Sequence, residues 1–209
     1  MADDKKILRR ILSESRGALP AAWVESRARQ IQRRLLETSA YHEAAAMVLY
    51  AAQRNEVATD LIMADALASG RRVFFPRVDP EHHDLLLLRV GDRAELQPGA
   101  FGIDEPTGAE LARPHDLVRA LICVPGVAFG PAGQRLGRGG GYYDRLIAAL
   151  APQVVTAGLA YAFQMLDRLP QSPHDRRLGL IVTEFAVHAQ AGPRPPSPAH
   201  ADQGGIARC

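Results

Sequence analysis

Cysteine is scarce in this sequence: of 209 residues two are cysteines, Cys123 inside an apolar run and Cys209 at the extreme end. Thiols so placed form neither a metal cluster nor a disulfide framework, which suits a reducing cytoplasm. An excess of one charge is also lacking, since 25 Lys and Arg face 23 Asp and Glu for a net charge of +2. No broad basic field therefore invites nucleic acid or a membrane surface, and any anion site must be local. Long apolar runs are missing as well. The opening MADDKKILRR mixes acids and bases with no signal-peptide core, and no apolar run reaches the roughly 18 residues of a membrane span. Neither export nor membrane insertion is expected, and the expected location is cytoplasmic.

What is present is an ordinary globular composition, 47% apolar and 23% charged, at a length that one domain usually accounts for. One domain over residues 1–190 is expected. The remainder, 191–209, opens with AGPRPPSPAHADQGG, too rich in Pro, Gly and Ala to bury a core, and is expected to be disordered. Nearly all of the positive charge is arginine, whose planar fork suits phosphate and carboxylate, but an arginine- and alanine-rich sequence equally reflects a GC-rich genome, and that reading carries most of the weight.

Residues 4–38 carry a helical pattern, with Ile7, Leu8, Ile11 and Leu12 before a break at Gly17 to Pro20 and Trp23, Ala28, Ile31 and Leu35 after it. Two helices should open the chain. The run 45–51, AAMVLYA, reads as a buried strand, 60–69 as a helix stopped by Gly70, and 72–76, RVFFP, as a strand stopped by its proline. Strands are also expected over 85–90, 121–124 and 154–160, and a helix over 142–150. This alternation predicts an α/β fold with a parallel sheet covered on both faces, and such sheets place ligands at the carboxyl ends of their strands.

One loop after a strand stands out: residues 135–145, RLGRGGGYYDR. Its four glycines, Gly137, Gly139, Gly140 and Gly141, permit unusual backbone angles and let main-chain N–H groups approach an anion. Arg135 and Arg138 add charged donors, and the helix expected from Tyr142 would aim its positive end at the same place. No Walker A pattern occurs, and Tyr142 stands where GxGxxG would need a final glycine. The loop reads as a phosphate site of another kind. Asp144 just beyond it suits either a magnesium ion shared with phosphates or the charge of a first helical turn.

With this loop the chain resembles the 5-formyltetrahydrofolate cyclo-ligases, also called 5,10-methenyltetrahydrofolate synthetases, from about residue 5 to residue 184. The motifs that carry the resemblance are, in order, KKILRR, NEVAT, FFPRV, GIDEP, VPGVAFGPAGQRLGRGGGYYDR, GLAYAFQ and PHDRRLGLIVTE. The long central one is the specific one. The resemblance implies a three-layer α/β/α sandwich with a mostly parallel central sheet, like that of the sugar-phosphate isomerase and CoA-transferase superfamily. It also implies an ATP- and Mg²⁺-dependent closure of 5-formyltetrahydrofolate to 5,10-methenyltetrahydrofolate with release of ADP and phosphate. In that reaction the formyl oxygen takes the γ-phosphoryl group, N10 attacks the activated carbon, and phosphate leaves. Such chemistry rests on positioning and charge neutralisation.

Carried onto this sequence, the resemblance puts Lys5, Lys6 and Arg9 at nucleotide contacts, and their helical spacing sets Lys5 and Arg9 on one face. It makes Arg135, Leu136, Gly137, Arg138, Gly139, Gly140, Gly141, Tyr142 and Tyr143 the nucleotide-binding segment, with Arg138 and Tyr142 as catalytic groups. Gly139, Gly140, Gly141 and Tyr142 also approach the folate. So do Glu56, whose carboxylate can accept from pterin N–H groups, and Phe101, whose ring can stack on a pterin. Read without the resemblance, Glu56 is a surface residue, Phe101 a core residue, and Lys5 with Arg9 a solvated face. Asp144 and Asp175 fall at magnesium positions, and Gln164 is a further polar candidate. Many relatives carry acids where this chain has Gly130 and Gly179, which predicts a thinner metal shell.

The expected partners are thus ATP and 5-formyltetrahydrofolate, acting on a monomer. A nucleotide- or folate-binding module without turnover is the rival from another class, and the loss of acids at Gly130 and Gly179 speaks for it. Against it stand Lys5, Arg9, Glu56, Arg138, Tyr142 and Asp144, all retained together. A sugar-phosphate isomerase on the same architecture would leave Lys5 and Arg9 without a role.

Overall fold

Periodicity in the first forty residues becomes two helices, α1 (Ala2–Gly17) and α2 (Ala21–Leu36). They belong to a computed structural model that describes residues 2–190, so the C-terminal tail expected to be disordered lies outside the described residues. Asp3 and Asp4 in the first turn of α1 and Arg16 in its last complement the helix dipole. Along α2, Ala28, Ile31 and Leu35 recur on one stripe and are buried. Thr38 ends this region by accepting from the Tyr41 backbone N–H at 3.2 Å, which caps the short α3 (Ser39–His42).

The remaining elements are β1 (Ala46–Val48), α4 (Asp60–Ala68), β2 (Arg72–Asp79), β3 (Asp84–Arg89), β4 (Leu96–Pro98), β5 (Asp104–Pro106), β6 (Ala120–Val124), β7 (Ala128–Phe129), β8 (Arg135–Leu136), α5 (Tyr142–Leu150), β9 (Val155–Leu159), β10 (Leu180–Val182) and β11 (Val187–Ala189). Seven strands form one sheet in the order β11-β10-β9-β6-β1-β2-β3. Its five inner strands are parallel, and β3 and β11 pair antiparallel at the two edges.

Side-chain alternation divides the core into two layers. Leu121 and Cys123 of β6 join Met47, Val73 and Phe75 on the face covered by Ile31 and Leu35 of α2 and Ile62 of α4. Ala120, Ile122 and Val124 join Val48 and Phe74 on the opposite face, under Phe129 of β7 and Ile147 of α5. Each fully buried Ile or Leu contributes about 1.5–3 kcal/mol relative to exposure. Helices thus cover both faces, which is the three-layer α/β/α arrangement with a mostly parallel sheet.

One expectation fails. Pro76 does not end its strand, because β1 pairs with β2 only as far as Phe74 and β3 is the strand that pairs with the rest of it. On the side that β1 leaves unpaired the missing N–H leaves no neighbouring carbonyl unmet. The small pairs β4–β5 and β7–β8 and the strands β10 and β11 are at most three residues each, too short to show a period. Among the described residues no helix is long and apolar enough to cross a membrane.

Candidate active site

The carboxyl ends of β1 and β6 open into a cavity of about 630 Å³ bounded by α1, the glycine loop and the turn around Phe101. Most of the expected contacts line it: Lys5, Arg9, Glu56, Phe101, Arg135, Arg138, Gly139, Gly140, Gly141, Tyr142, Tyr143, Asp144 and Asp175. Lys6 is exposed and Leu136 is buried in β8, and neither lines the cavity. Gly137 does not line it either, but its carbonyl accepts from Arg9, which does.

The glycine loop is built around Arg135. Its Nη2 donates to Asp144 Oδ2 at 2.8 Å and its Nη1 to the Pro125 carbonyl at 3.3 Å, while its buried Nε has no partner among the described residues. A side chain at 137 would bring a Cβ within 2.6 Å of Arg135 Nη1, so the close approach needs Gly137. Gly139 has φ 112°, a conformation that other residues rarely adopt, and its backbone passes beside the Arg9 guanidinium. Gly141, at φ 70°, begins α5 with no side-chain cap. The first N–H groups of α5 therefore lack intrahelical acceptors, and they stand at a cavity wall. Arg145 ties the loop down, donating to the Gly140 carbonyl at 3.2 Å and to Asp84 Oδ1 at 3.0 Å.

From the opposite wall, Glu56 reaches Arg138. The Arg138 Nη2 donates to Glu56 Oε1 at 2.8 Å and Nη1 to Gln53 Oε1 at 2.7 Å, while the Gln53 backbone N–H donates to Glu56 Oε2 at 3.1 Å. Glu56 is buried, at 8% exposure, against its reading as a surface residue. Phe101 is 74% exposed at φ 56°, not in the core, and Gln53 Nε2 donates to the carbonyl of the adjacent Gly102. A ring held out at a cavity mouth on a left-handed backbone is available for stacking.

Helix α1 closes the third side. Lys5 Nζ donates to Asp175 Oδ2 at 2.6 Å and to Ser172 Oγ at 2.8 Å, and Arg9 Nε donates to the Gly137 carbonyl at 2.8 Å. Burial pushes the Asp175 carboxyl up, but the Lys5 and Ser172 N–H donors and the Lys5 and His174 charges outweigh it and hold it below its ordinary value.

Asp144 does not cap α5; it pairs with Arg135 and accepts from the Arg176 backbone N–H at 3.0 Å, which draws the 173–176 turn to the glycine loop. Among the described residues no group of three or more His, Cys, Asp or Glu forms a metal cage. The donor set does not fit a resident metal. Two acids on one cavity, each already beside a cation, fit Mg²⁺ that arrives on phosphates and completes its shell with them and with water. Gly130 and Gly179 lie elsewhere: Gly130 is in the β7–β8 turn with its N–H on the Gln134 carbonyl, and Gly179 precedes β10 with its N–H on Thr156 Oγ1. Neither lines the cavity.

Sequence reasoning missed Arg16, which is 3% exposed and donates to Gly126 O at 3.0 Å, Arg54 O at 3.1 Å and Glu56 Oε1 at 3.4 Å. The spacing of Lys5, Arg9 and Arg16 along α1 was the available signal, because two turns from Arg9 return to the same face. Burial lowers the Arg16 guanidinium from its usual range, the Glu56 carboxylate opposes this, and the Arg138 charge adds to the lowering. Gln164 proves to be a support: its Nε2 donates to Val127 O at 2.9 Å beneath the loop after β6.

Similarity to known proteins agrees with this geometry. The chain is 30% identical over 201 residues to a probable 5-formyltetrahydrofolate cyclo-ligase of Schizosaccharomyces pombe, spanning 90% of this chain and 98% of that one. It is 27% identical over 189 residues to the mouse 5-formyltetrahydrofolate cyclo-ligase, spanning 84% and 93%. The solved structure of Aquifex aeolicus 5,10-methenyltetrahydrofolate synthetase superposes with a TM-score of 0.78 at 31% identity, covering 95% of this chain and 99% of that one. Because the family model matches residues 1–184, nearly every element that shapes the cavity, the chain belongs to the 5-formyltetrahydrofolate cyclo-ligase family.

Proposed function

We propose that the cavity binds ATP and 5-formyltetrahydrofolate side by side and closes the folate to 5,10-methenyltetrahydrofolate, releasing ADP and phosphate. One observation carries the reading: the glycine loop, the uncapped start of α5, Arg135 and Arg138 share a cavity wall with buried Glu56. An anion site and a carboxylate acceptor stand within one side-chain length of each other, joined through Arg138.

In this reading Lys5, Arg9, Arg135 and the loop N–H groups hold the phosphates, and the arginine charges offset those on the transferring phosphoryl group. Glu56 accepts from pterin N–H groups and Phe101 covers the ring, which fixes the formyl oxygen toward the γ-phosphate. Arg138 and Tyr142, between the two ligands, are the groups nearest the reacting atoms. Asp144 and Asp175 would hold Mg²⁺, which supplies further charge neutralisation on the phosphates. Against a binding module without turnover, neither Gly130 nor Gly179 lines the cavity. A cytoplasmic monomer completes the proposal.

Purified protein mixed with 5-formyltetrahydrofolate, ATP and Mg²⁺ is expected to develop the near-ultraviolet absorbance of the methenyl product. No signal with or without added metal would sink the cyclo-ligase reading.

A further inference from the structure

Glu56 has two arginine partners of opposite character. Arg16 is 3% exposed and spends its fork on three fixed acceptors, the carbonyls of Gly126 and Arg54 and Glu56 Oε1. Those acceptors lie on the loops after β6 and β1, so the guanidinium ties the two loops together. Arg138 has a side chain 44% exposed, hydrogen-bonds the Gln53 and Glu56 side chains, and stands in a run of glycines at the cavity wall.

A carboxylate at 8% exposure cannot be left without a cation cheaply, because that leaves an uncompensated buried charge. If Arg138 moves from Glu56 to the phosphoryl group, a second, stationary cation must remain. We propose that Arg16 is the positioning residue for Glu56: it stays paired with the carboxylate and keeps it aimed at the folate while Arg138 exchanges from Glu56 to the phosphates during turnover. Because Arg16 shares α1 with Lys5 and Arg9, docking of that helix on the nucleotide side and alignment of the folate acceptor become one event. This rests on the folate reading of the cavity.

The test compares Arg16→Lys, Arg16→Met, Arg138→Lys and Glu56→Gln, with the double variants of Arg16 and Glu56, by steady-state kinetics. Wild-type turnover comes first: its absence overturns the folate reading and this inference with it. Given turnover, Arg16→Met is expected to raise KM for 5-formyltetrahydrofolate about ten- to a hundredfold, the loss of a charged hydrogen bond, with KM for ATP changed less than about twofold. Arg16→Lys, which keeps the charge and also serves if the Met variant fails to fold, should recover part of that loss. In the Glu56→Gln background the Arg16 substitutions should add little, since they act through the missing carboxylate. Arg138→Lys should instead lower kcat with the folate KM nearly unchanged.

Three results would overturn the assignment. They are equal rises in both KM values on Arg16 substitution, effects that multiply in the double variants, and a folate KM that rises with Arg138→Lys as much as with Arg16→Lys.

Discussion

Lys5 donates to the Asp175 carboxylate at 2.6 Å across 170 positions of sequence, so the first turns of α1 are latched to the far rim of the cavity. Because the carboxyl is held below its ordinary value, the contribution of the pair is complete above a pH of about 4 and is lost as pH falls through the lower, folded value. Lys5→Ala should lower stability by no more than about 1 kcal/mol at neutral pH. Without added metal, melting curves of the variant and the wild type should begin to approach each other below a pH of about 4 and converge once pH has fallen past the lower, folded value. KM for ATP should rise in the variant, and an unchanged value would remove Lys5 from the nucleotide site.

Asp144 has a structural duty as well as a proposed metal one. Its Oδ2 accepts from Arg135, whose side chain is almost fully buried, and its Oδ1 accepts from Arg176 N–H. Asp144→Asn should therefore abolish turnover and also cost about 1–3 kcal/mol of stability, since Arg135 loses its countercharge. Denaturant titration checks the second effect. Turnover equal to wild type would exclude Asp144 from the metal site.

Gly139→Ala tests the loop conformation. At φ 112° an added Cβ is strained whatever the space around it, by about 1–3 kcal/mol, and the loop should answer by shifting away from the phosphates. The expected outcome is a rise in KM for ATP with little change in melting temperature. A large melting shift without kinetic change would mean that the loop supports the fold and not the nucleotide.

Phe101→Ala separates ligand contact from packing. An exposed ring contributes little to folding, so stability should change by less than about 0.5 kcal/mol. The folate KM should rise by up to about tenfold, the range of aromatic stacking. An unaltered KM would take Phe101 out of the folate site.

Cys123 should be inert while the protein is folded. Burial in β6 pushes its thiol up to about 12, and the thiolate is the reactive form. In a Cys209→Ser background, iodoacetamide at pH 8 should leave the native protein unmodified and label it after denaturation, as mass spectrometry would show. The neutral thiol stabilises the fold fully below a pH of about 8.5, and that contribution drains away as pH climbs toward 12.

Local patterns were legible without coordinates. The apolar stripe Ala28, Ile31 and Leu35, the break at Gly17 to Pro20 and the helix at Tyr142 declare themselves within a few residues, because helix periodicity and glycine or proline punctuation are short-range effects. The α/β alternation and the glycine loop followed from the same kind of reading, and the loop's motif named the family. Strands of two or three residues left no such trace.

What only the tertiary structure decided is which charges meet. Glu56 looked like a surface acid and Phe101 like core, and the two readings exchange once the chain ends of β1 and β6 form a cavity between them. Gly130 and Gly179 looked like defects in a metal site and do not line the cavity. Arg16, which drew no reading from the sequence, is buried against Glu56. A charged side chain's role depends on its solvation and on partners tens to hundreds of positions away, and neither quantity exists until the sheet has set the loops side by side.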